Sequence, residues 1–275
     1  MDEKTRKDVI NLIVEGRREK ALGRLAKWTT KLSKDGDEPT SEASEEGIVA
    51  AQIPSVMVNI PMKTILFMGA NPPDTRSVQI EVEHSRIASE LNNKFNLEVE
   101  KFLSASEIPK LITEKKPHII HFSGHGKDPE SGEHGEAGDT TRAIGMKPDT
   151  THKGGIVVFD NDMRQMKIIE DDQLEYLFKT VVNSFKIPIE VAVFNSCYSE
   201  SQAKVLGKYI PYVVGSSRAI KDEIALSFAV GFYYGIANGQ SVEDAFLQGK
   251  MQAVLQDMSA ETLIVLYKNG ELQSM

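Results

Sequence analysis

The amino-acid sequence predicts an α/β protein built on a mainly parallel sheet with helices on both faces, plus a small N-terminal helical hairpin. From residue 63 onward, short apolar runs typical of buried strands alternate with segments whose apolar residues recur at helical spacing. Strands separated by helices favour parallel pairing, because the chain must cross the sheet before it can form the next parallel strand. With 275 residues, 40% of them hydrophobic, the chain can bury one full core and carry a small additional unit.

The segments 1–32 and 33–62 are predicted to precede the sheet. Residues 1–32 are expected to form the helical hairpin, since their apolar residues recur at helical spacing on either side of a glycine. Residues 33–62 are expected to be a linker followed by an extended segment. The stretch 33–47 has no large apolar side chain to offset the entropy of ordering it. The stretch 48–61 is apolar and contains two prolines, which fits an extended conformation, and its role stays open.

Seven segments have the composition of strands. Each is a short apolar run, mostly of β-branched, aliphatic and aromatic residues, bounded by polar or turn-forming residues. In chain order they span 64–69, 97–103, 117–122, 154–160, 189–194, 212–215 and 262–267.

The segments between the strands carry helical spacing. In 78–95, for example, Ile80, Ile87 and Leu91 fall on one face of a helix. Further helices are predicted over 106–115 with Ser106 as a cap, over 169–182, over 201–209, and as one or two helices over 222–256 around Gly239. A polar loop rich in Gly, Asp and Glu is predicted over 127–153, and loops of this length are usually functional or disordered.

Charge and cysteine content exclude several classes of function. The net charge is −8 without a stripe of Lys and Arg, so nucleic acid is not expected as a partner. Neither a secretory leader pattern nor an apolar run of membrane-spanning length is found, so we expect a cytoplasmic protein that does not contact a membrane. Cys197 is the only cysteine, which rules out an internal disulfide framework.

Three histidines follow one another in the stretch HIIHFSGHG. His118 and His121 are an odd number of residues apart, so on a strand they point to opposite faces and do not share a metal ion. We expect His118 to start the strand and His121 to be a hydrogen-bonded core residue. His125 lies beyond the strand between Gly124 and Gly126, where a substrate backbone can approach closely.

Cys197 occupies the equivalent position after a later strand. Sites in open parallel sheets lie at the carboxyl ends of the strands, and a helix predicted directly after Cys197 would favour a thiolate through its dipole. Taken alone, a free cysteine is more often a small buried apolar residue. Its pairing with a glycine-flanked His125 at the same edge favours a catalytic nucleophile and base.

The chain resembles a family that carries such a pair. The stretches that carry the resemblance, in order, are HFSGHG, GGIVVFD, VFNSCYS and DEIALSFAVGFYYGIANGQSVEDAF. Together they resemble the CHAT domain, which has the caspase-like fold of clan CD cysteine peptidases, and the resemblance covers residues 63–255. It implies a caspase-like sheet in 63–275 and a cysteine endopeptidase that cleaves a protein substrate.

The resemblance also implies roles for individual residues. His125 matches the catalytic histidine and Cys197 the nucleophile, and the backbone N–H groups of Gly126 and Cys197 match the oxyanion hole. No metal or organic cofactor is implied. In several relatives an acidic residue receives a basic P1 side chain, and Asp222 or Glu223 stands in the corresponding stretch. These two residues are also explained as a cap or as first-turn acids of the next helix, and we favour this interpretation over substrate binding.

Two polar residues beside the nucleophile are given no catalytic role. Asn195 and Ser196 follow an apolar strand, where polar side chains usually satisfy loop amides.

The hairpin resembles the small helical adaptor domains that precede effector enzymes in bacterial conflict systems, through its stretch EGRREKAL. This implies an adaptor or activator protein as a partner and a role in bacterial defence or regulated cell death. Packing of the hairpin on the catalytic domain is the alternative.

Two other functions stay open. One is a non-catalytic binding or adaptor module of the same fold. The other is a nucleotide-binding domain with MGANPPDT as its pocket, although that stretch lacks a glycine-rich phosphate loop.

Overall fold

A computed structural model describes residues 62–128 and 154–274, together with Gly23, Arg24 and Lys27. The chain divides into two compact units, Met1–Pro61 and Met62–Met275. In the first unit the three described residues are helical. The rest of the predicted hairpin, the linker, the extended segment up to residue 61 and most of the predicted 127–153 loop lie outside the described residues.

The main sheet has seven strands in the order β10-β9-β8-β7-β3-β1-β2. The ten strands of both sheets are β1 (Thr64–Gly69), β2 (Asn96–Glu100), β3 (Ile119–Ser123), β4 (Gly126–Lys127), β5 (Gly155–Phe159), β6 (Met166–Glu170), β7 (Val191–Asn195), β8 (Tyr212–Ser216), β9 (Ile264–Lys268) and β10 (Glu271–Leu272). The pairs from β2 to β8 are parallel, and β9 and β10 are added antiparallel at one edge. The predicted mainly parallel sheet is therefore confirmed.

Helices cover both faces of this sheet, as predicted. They are α1 (Ile80–Leu91), α2 (Glu107–Lys115), α3 (Asp171–Lys179), α4 (Glu200–Leu206), α5 (Asp222–Ala237), α6 (Val242–Gln256) and α7 (Ala260–Leu263). Successive residues of a strand face opposite sides, and in β1 Leu66 joins an apolar cluster with α2, α3 and α4, whereas Phe67 joins a second cluster with α1, α5 and α6. Both faces of the strands are apolar because both are buried.

A second, three-stranded antiparallel sheet has the order β4-β5-β6. It corrects two predictions. The predicted loop from residue 127 begins later, because Lys127 is buried and pairs with β5. The helix predicted over 169–182 starts only at Asp171, since Met166–Glu170 pairs with β5 along its whole length.

The junction between β6 and α3 has no intervening loop. Glu170 is both the last residue of β6 and the N-cap residue of α3, where it forms a capping box with Gln173. The helix then loosens into a π-helical turn at Thr180–Ser184.

The remaining boundaries agree with the sequence to within a few residues. The segment 222–256 forms two helices, α5 and α6, separated at Gly239, which has a positive φ of 71°. Ser106 precedes α2 but makes no side-chain cap hydrogen bond, contrary to the predicted cap. Among the described residues, no helix combines the length and apolar character needed to cross a membrane.

Candidate active site

The two residues predicted to form a catalytic pair leave the main sheet side by side. β3 and β7 are parallel neighbours, and their last residues, Ser123 and Asn195, are register partners. His125 follows the end of β3 by two residues, and Cys197 follows the end of β7 by two residues. Because both strands run in the same direction, the two residues emerge at the same carboxyl edge of the sheet.

His125 and Cys197 line one pocket with a cavity volume of about 40 Å³. The ends of β3 and β7 form one side of this pocket, and the first turns of α1 and α5 contribute Glu83 and Asp222 to the other. A space of this size holds about three water molecules. The structure therefore brings the predicted pair together at a site that a substrate group can enter.

A backbone carbonyl fixes the orientation of the His125 ring. His125 is only 5% exposed, and its Nε2 lies 2.5 Å from the carbonyl oxygen of Arg76, in the segment between β1 and α1. Because a carbonyl oxygen can only accept, Nε2 carries the hydrogen in this contact. In the neutral ring Nδ1 is then an acceptor.

Cys197 contacts the segment that precedes α5. The residue is 7% exposed, and its Sγ lies 3.3 Å from the backbone nitrogen of Ile220 and 3.7 Å from the carbonyl oxygen of the same residue. The N–H group donates to the sulfur, and a hydrogen bond to the charged form stabilises a thiolate.

The turn after Cys197 differs from the predicted one. The expected helix does not start directly after Cys197, because Tyr198 adopts a left-handed conformation with a φ of 55° and α4 begins only at Glu200. Ser199 anchors the turn: its hydroxyl lies 3.0 Å from the carbonyl oxygen of Phe194 and accepts a hydrogen bond from Ser216 at 2.8 Å. The N–H of Ile220 donates directly to the sulfur, whereas the short α4 begins three residues after Cys197.

The backbones of Gly126 and Cys197 are in direct contact. A methyl group on Gly126 would collide with the carbonyl oxygen of Cys197 and would lie 3.5 Å from its backbone nitrogen. The structure therefore places the two residues whose N–H groups were matched to an oxyanion hole beside each other. Only glycine fits at position 126 without a shift of the turn that carries Cys197.

The two acidic residues predicted as alternatives for substrate binding occupy different places. Asp222 is half-buried and lines the pocket, whereas Glu223 is exposed and lies outside the pocket lining. Lys221 rather than Asp222 is the cap residue of α5, whereas the expectation of acidic residues in the first turn of this helix is confirmed for both Asp222 and Glu223.

The other two histidines of the cluster do not reach the pocket. His118 lies before β3, where its Nδ1 accepts a hydrogen bond from the backbone N–H of Thr64, and burial lowers its pKa. His121 is fully buried, stacks on Phe67 and hydrogen-bonds to Glu83, as expected of a core histidine. Among the described residues, no group of three His, Cys, Asp or Glu is placed to hold a metal ion.

Glu83 is an ionisable residue of the pocket that the sequence did not indicate. It lies on α1 with only 6% exposure, and its carboxylate accepts hydrogen bonds from the side chains of His121, Ser123 and Asn195. Asn195 was expected to satisfy loop amides and instead donates to this carboxylate. The neighbouring Ser196 hydroxyl has no hydrogen-bond partner among the described residues.

Comparison with known proteins supplies a family assignment for this arrangement. The model of a family described as CHAT domain matches residues 38–266. No curated protein matches the chain.

Proposed function

This chain belongs to the CHAT domain family, and from this premise we propose that it is a caspase-like cysteine endopeptidase with Cys197 as nucleophile and His125 as acid and base. The observation that carries the proposal is the single pocket lined by both residues. A nucleophile and a base that meet in one cleft are the minimum machinery of covalent acyl transfer. His125 and Cys197 each follow one of two adjacent parallel strands, so their relative position depends on the pairing of β3 with β7.

The first chemical step is attack by the sulfur. His125 takes the proton of the Cys197 thiol at Nδ1. The resulting thiolate, supported by the N–H of Ile220, adds to the carbonyl carbon of the scissile peptide bond, and the π electrons of the C=O bond move onto the carbonyl oxygen. The N–H groups of Gly126 and Cys197 are the proposed donors to this oxyanion, and the contact between the two backbones supports that role.

The second step requires a proton for the leaving amine. With Nε2 bound to the Arg76 carbonyl, Nδ1 of protonated His125 gives its proton to the departing nitrogen as the C–N bond breaks. The neutral ring then removes a proton from water, which attacks the thioester and releases the acid product together with the Cys197 sulfur.

A covalent inhibitor tests this proposal directly. We expect a peptidyl acyloxymethyl ketone to form a thioether with Cys197 in the folded chain, detected as a mass increase on the tryptic peptide that contains this residue. Denatured chain is the control, because it should react with iodoacetamide but not with the ketone. Failure of folded chain to react with ketones of any P1 residue would contradict the proposal.

We further propose that the pocket receives a basic P1 side chain of a protein substrate. Among the described residues that line it, Glu83 and Asp222 are acidic and none is Lys or Arg. The Glu83 carboxylate accepts hydrogen bonds from three side chains of the protein, and Asp222, the first residue of α5, is the lining carboxylate that we propose to face the substrate cation.

Asp222→Asn is expected to lower kcat/KM for substrates with Arg or Lys at P1 by about 10–100-fold, because a hydrogen bond to a charged group is worth roughly 1.5–3 kcal/mol. Substrates with a neutral P1 residue should change by no more than about threefold, since they make no ion pair. Cleavage of a P1-scanned peptide library measures the change, and Glu223→Gln is the matched control. An equal loss for every P1 residue would show that Asp222 does not select the substrate.

We also propose a cytoplasmic role in bacterial defence or regulated cell death, with residues 1–32 binding an adaptor or activator protein. The resemblance of EGRREKAL to adaptor domains supports this part of the proposal.

A further inference from the structure

A buried carboxylate connects the ends of the two strands that lead to the proposed catalytic residues. Glu83 Oε2 accepts a hydrogen bond from the Ser123 hydroxyl at 2.5 Å. Glu83 Oε1 accepts one from the Asn195 side-chain amide and lies 2.9 Å from Nε2 of His121. Ser123 ends β3 and Asn195 ends β7, so one side chain of α1 contacts both strand ends.

The hydrogen positions in this cluster are mutually consistent. An ionised carboxylate only accepts, so Nε2 of His121 donates to Glu83 and, in the neutral ring, Nδ1 is an acceptor. The Tyr233 hydroxyl lies 3.2 Å from that Nδ1. Burial, and after it the charge of Glu83, raises the pKa of Tyr233 well above its ordinary value, so the hydroxyl keeps its proton and donates it.

The spacing along both strands is the same. Ser123 and Asn195 are register partners, and each precedes its proposed catalytic residue, His125 or Cys197, by two residues. A displacement of either strand end relative to the other would therefore alter the separation of the nucleophile and the base. Small displacements matter in such a pair, because a misplacement of about 1 Å can reduce a rate by about 10²-fold.

We infer that Glu83 is a positioning residue that fixes His125 and Cys197 relative to each other by binding the ends of β3 and β7. This inference rests on the proposed function for its catalytic consequence, although the effect of Glu83 on the two strand ends can be measured without activity. Glu83 contacts the strand ends, not the reacting atoms. Charges are rarely buried without partners, and here two of the three donors, Ser123 and Asn195, are the last residues of β3 and β7.

Two replacements of Glu83 separate its hydrogen bonds to the ends of β3 and β7 from the effect of its negative charge. Glu83→Gln keeps an oxygen that can accept from His121 and Asn195 and an amide that can donate to Ser123, so the contacts survive without the charge. Glu83→Leu retains similar volume and removes every acceptor. Glu81→Gln is the matched control on the same helix, because the Glu81 side chain is 70% exposed and pairs with Lys101.

The kinetic test compares kcat and KM of these variants on one peptide substrate. We expect Glu83→Leu to lower kcat by about 10²-fold with KM changed less than about threefold, and Glu83→Gln to restore kcat to within about fivefold of wild type. Glu81→Gln should match wild type. A Glu83→Leu variant with wild-type kcat would overturn the inference while leaving the peptidase proposal intact.

Hydrogen exchange tests the effect of Glu83 on the two strand ends independently of activity. In Glu83→Leu, amide exchange should accelerate at residues 124–128 and 196–199 together, remain unchanged in β9 and β10, and return to the wild-type rate in Glu83→Gln. Unchanged exchange at either strand end would overturn the inference. This test does not require activity, so it remains decisive if the wild-type chain cleaves no peptide and the peptidase proposal fails. Should Glu83→Leu not fold, the double variant Ser123→Ala/Asn195→Ala removes both strand-end donors and is judged by the same criteria.

Discussion

Replacement of Cys197 with alanine is expected to abolish peptide cleavage, with a loss of at least about 10³-fold in kcat. No acyl-enzyme can form without the sulfur, and Cys197 is the only cysteine of the chain. Its side chain is small, so the fold should persist with a loss of stability of no more than about 2 kcal/mol. His125→Ala should lower kcat by about 10²–10⁴-fold, since it removes the proton donor for the leaving amine.

Combining the two substitutions sharpens this prediction. The effects on kcat of substituting residues that act as one unit are not additive, so the double variant should be no slower than Cys197→Ala alone. Initial rates on the preferred library peptide provide the measurement, and thermal unfolding confirms that each variant is folded. Undiminished cleavage by Cys197→Ala would exclude this residue as the nucleophile.

Substitution of Gly126 with alanine is expected to lower kcat by about 10²–10³-fold, the loss that follows removal of an oxyanion donor. The added methyl group would collide with the carbonyl oxygen of Cys197. Backbone cannot yield as a flexible side chain does, so the Gly126 and Cys197 N–H groups must move apart or turn. Overpacking of this kind should also reduce the free energy of unfolding by about 1–3 kcal/mol.

A second crowded glycine distinguishes the loss of the oxyanion donors from a general loss of stability. Gly207 lies just after α4, outside the lining of the pocket, and a methyl group there would lie 3.0 Å from the carbonyl oxygen of Ala203. Gly207→Ala should therefore reduce the melting temperature while leaving kcat unchanged. If Gly126→Ala also kept the wild-type kcat at a temperature where it is folded, its N–H group would have no part in catalysis.

The strands and the proposed dyad could be read from the sequence because their signals are local. Buried parallel strands appear as continuous apolar runs, and β1 is the clearest example. His125 between two glycines and Cys197 after a strand both stand where chemistry collects in such sheets. The rule of strand alternation also separated His121, which faces the core, from His118 at the start of β3.

Features that depend on tertiary contacts could not be read in the same way. Glu83 looks like any exposed glutamate of an amphipathic helix, and only the docking of α1 against the strand ends buries it. β6 was hidden because Ile169 continues the helical spacing of α3, and pairing with β5 overrides that local preference. The capping box of Glu170 and Gln173 was the signal that would have separated strand from helix.

During synthesis on the ribosome, His125 is added to the chain well before Cys197. The roughly 70 residues from one to the other take about 4–14 s to synthesise at ~5–20 residues per second. Until β7 has emerged and paired with β3, the nascent polypeptide contains the proposed base without the proposed nucleophile. On the proposed mechanism, a polypeptide cut short before β7 therefore lacks the nucleophile, and cleavage requires that synthesis has passed Cys197.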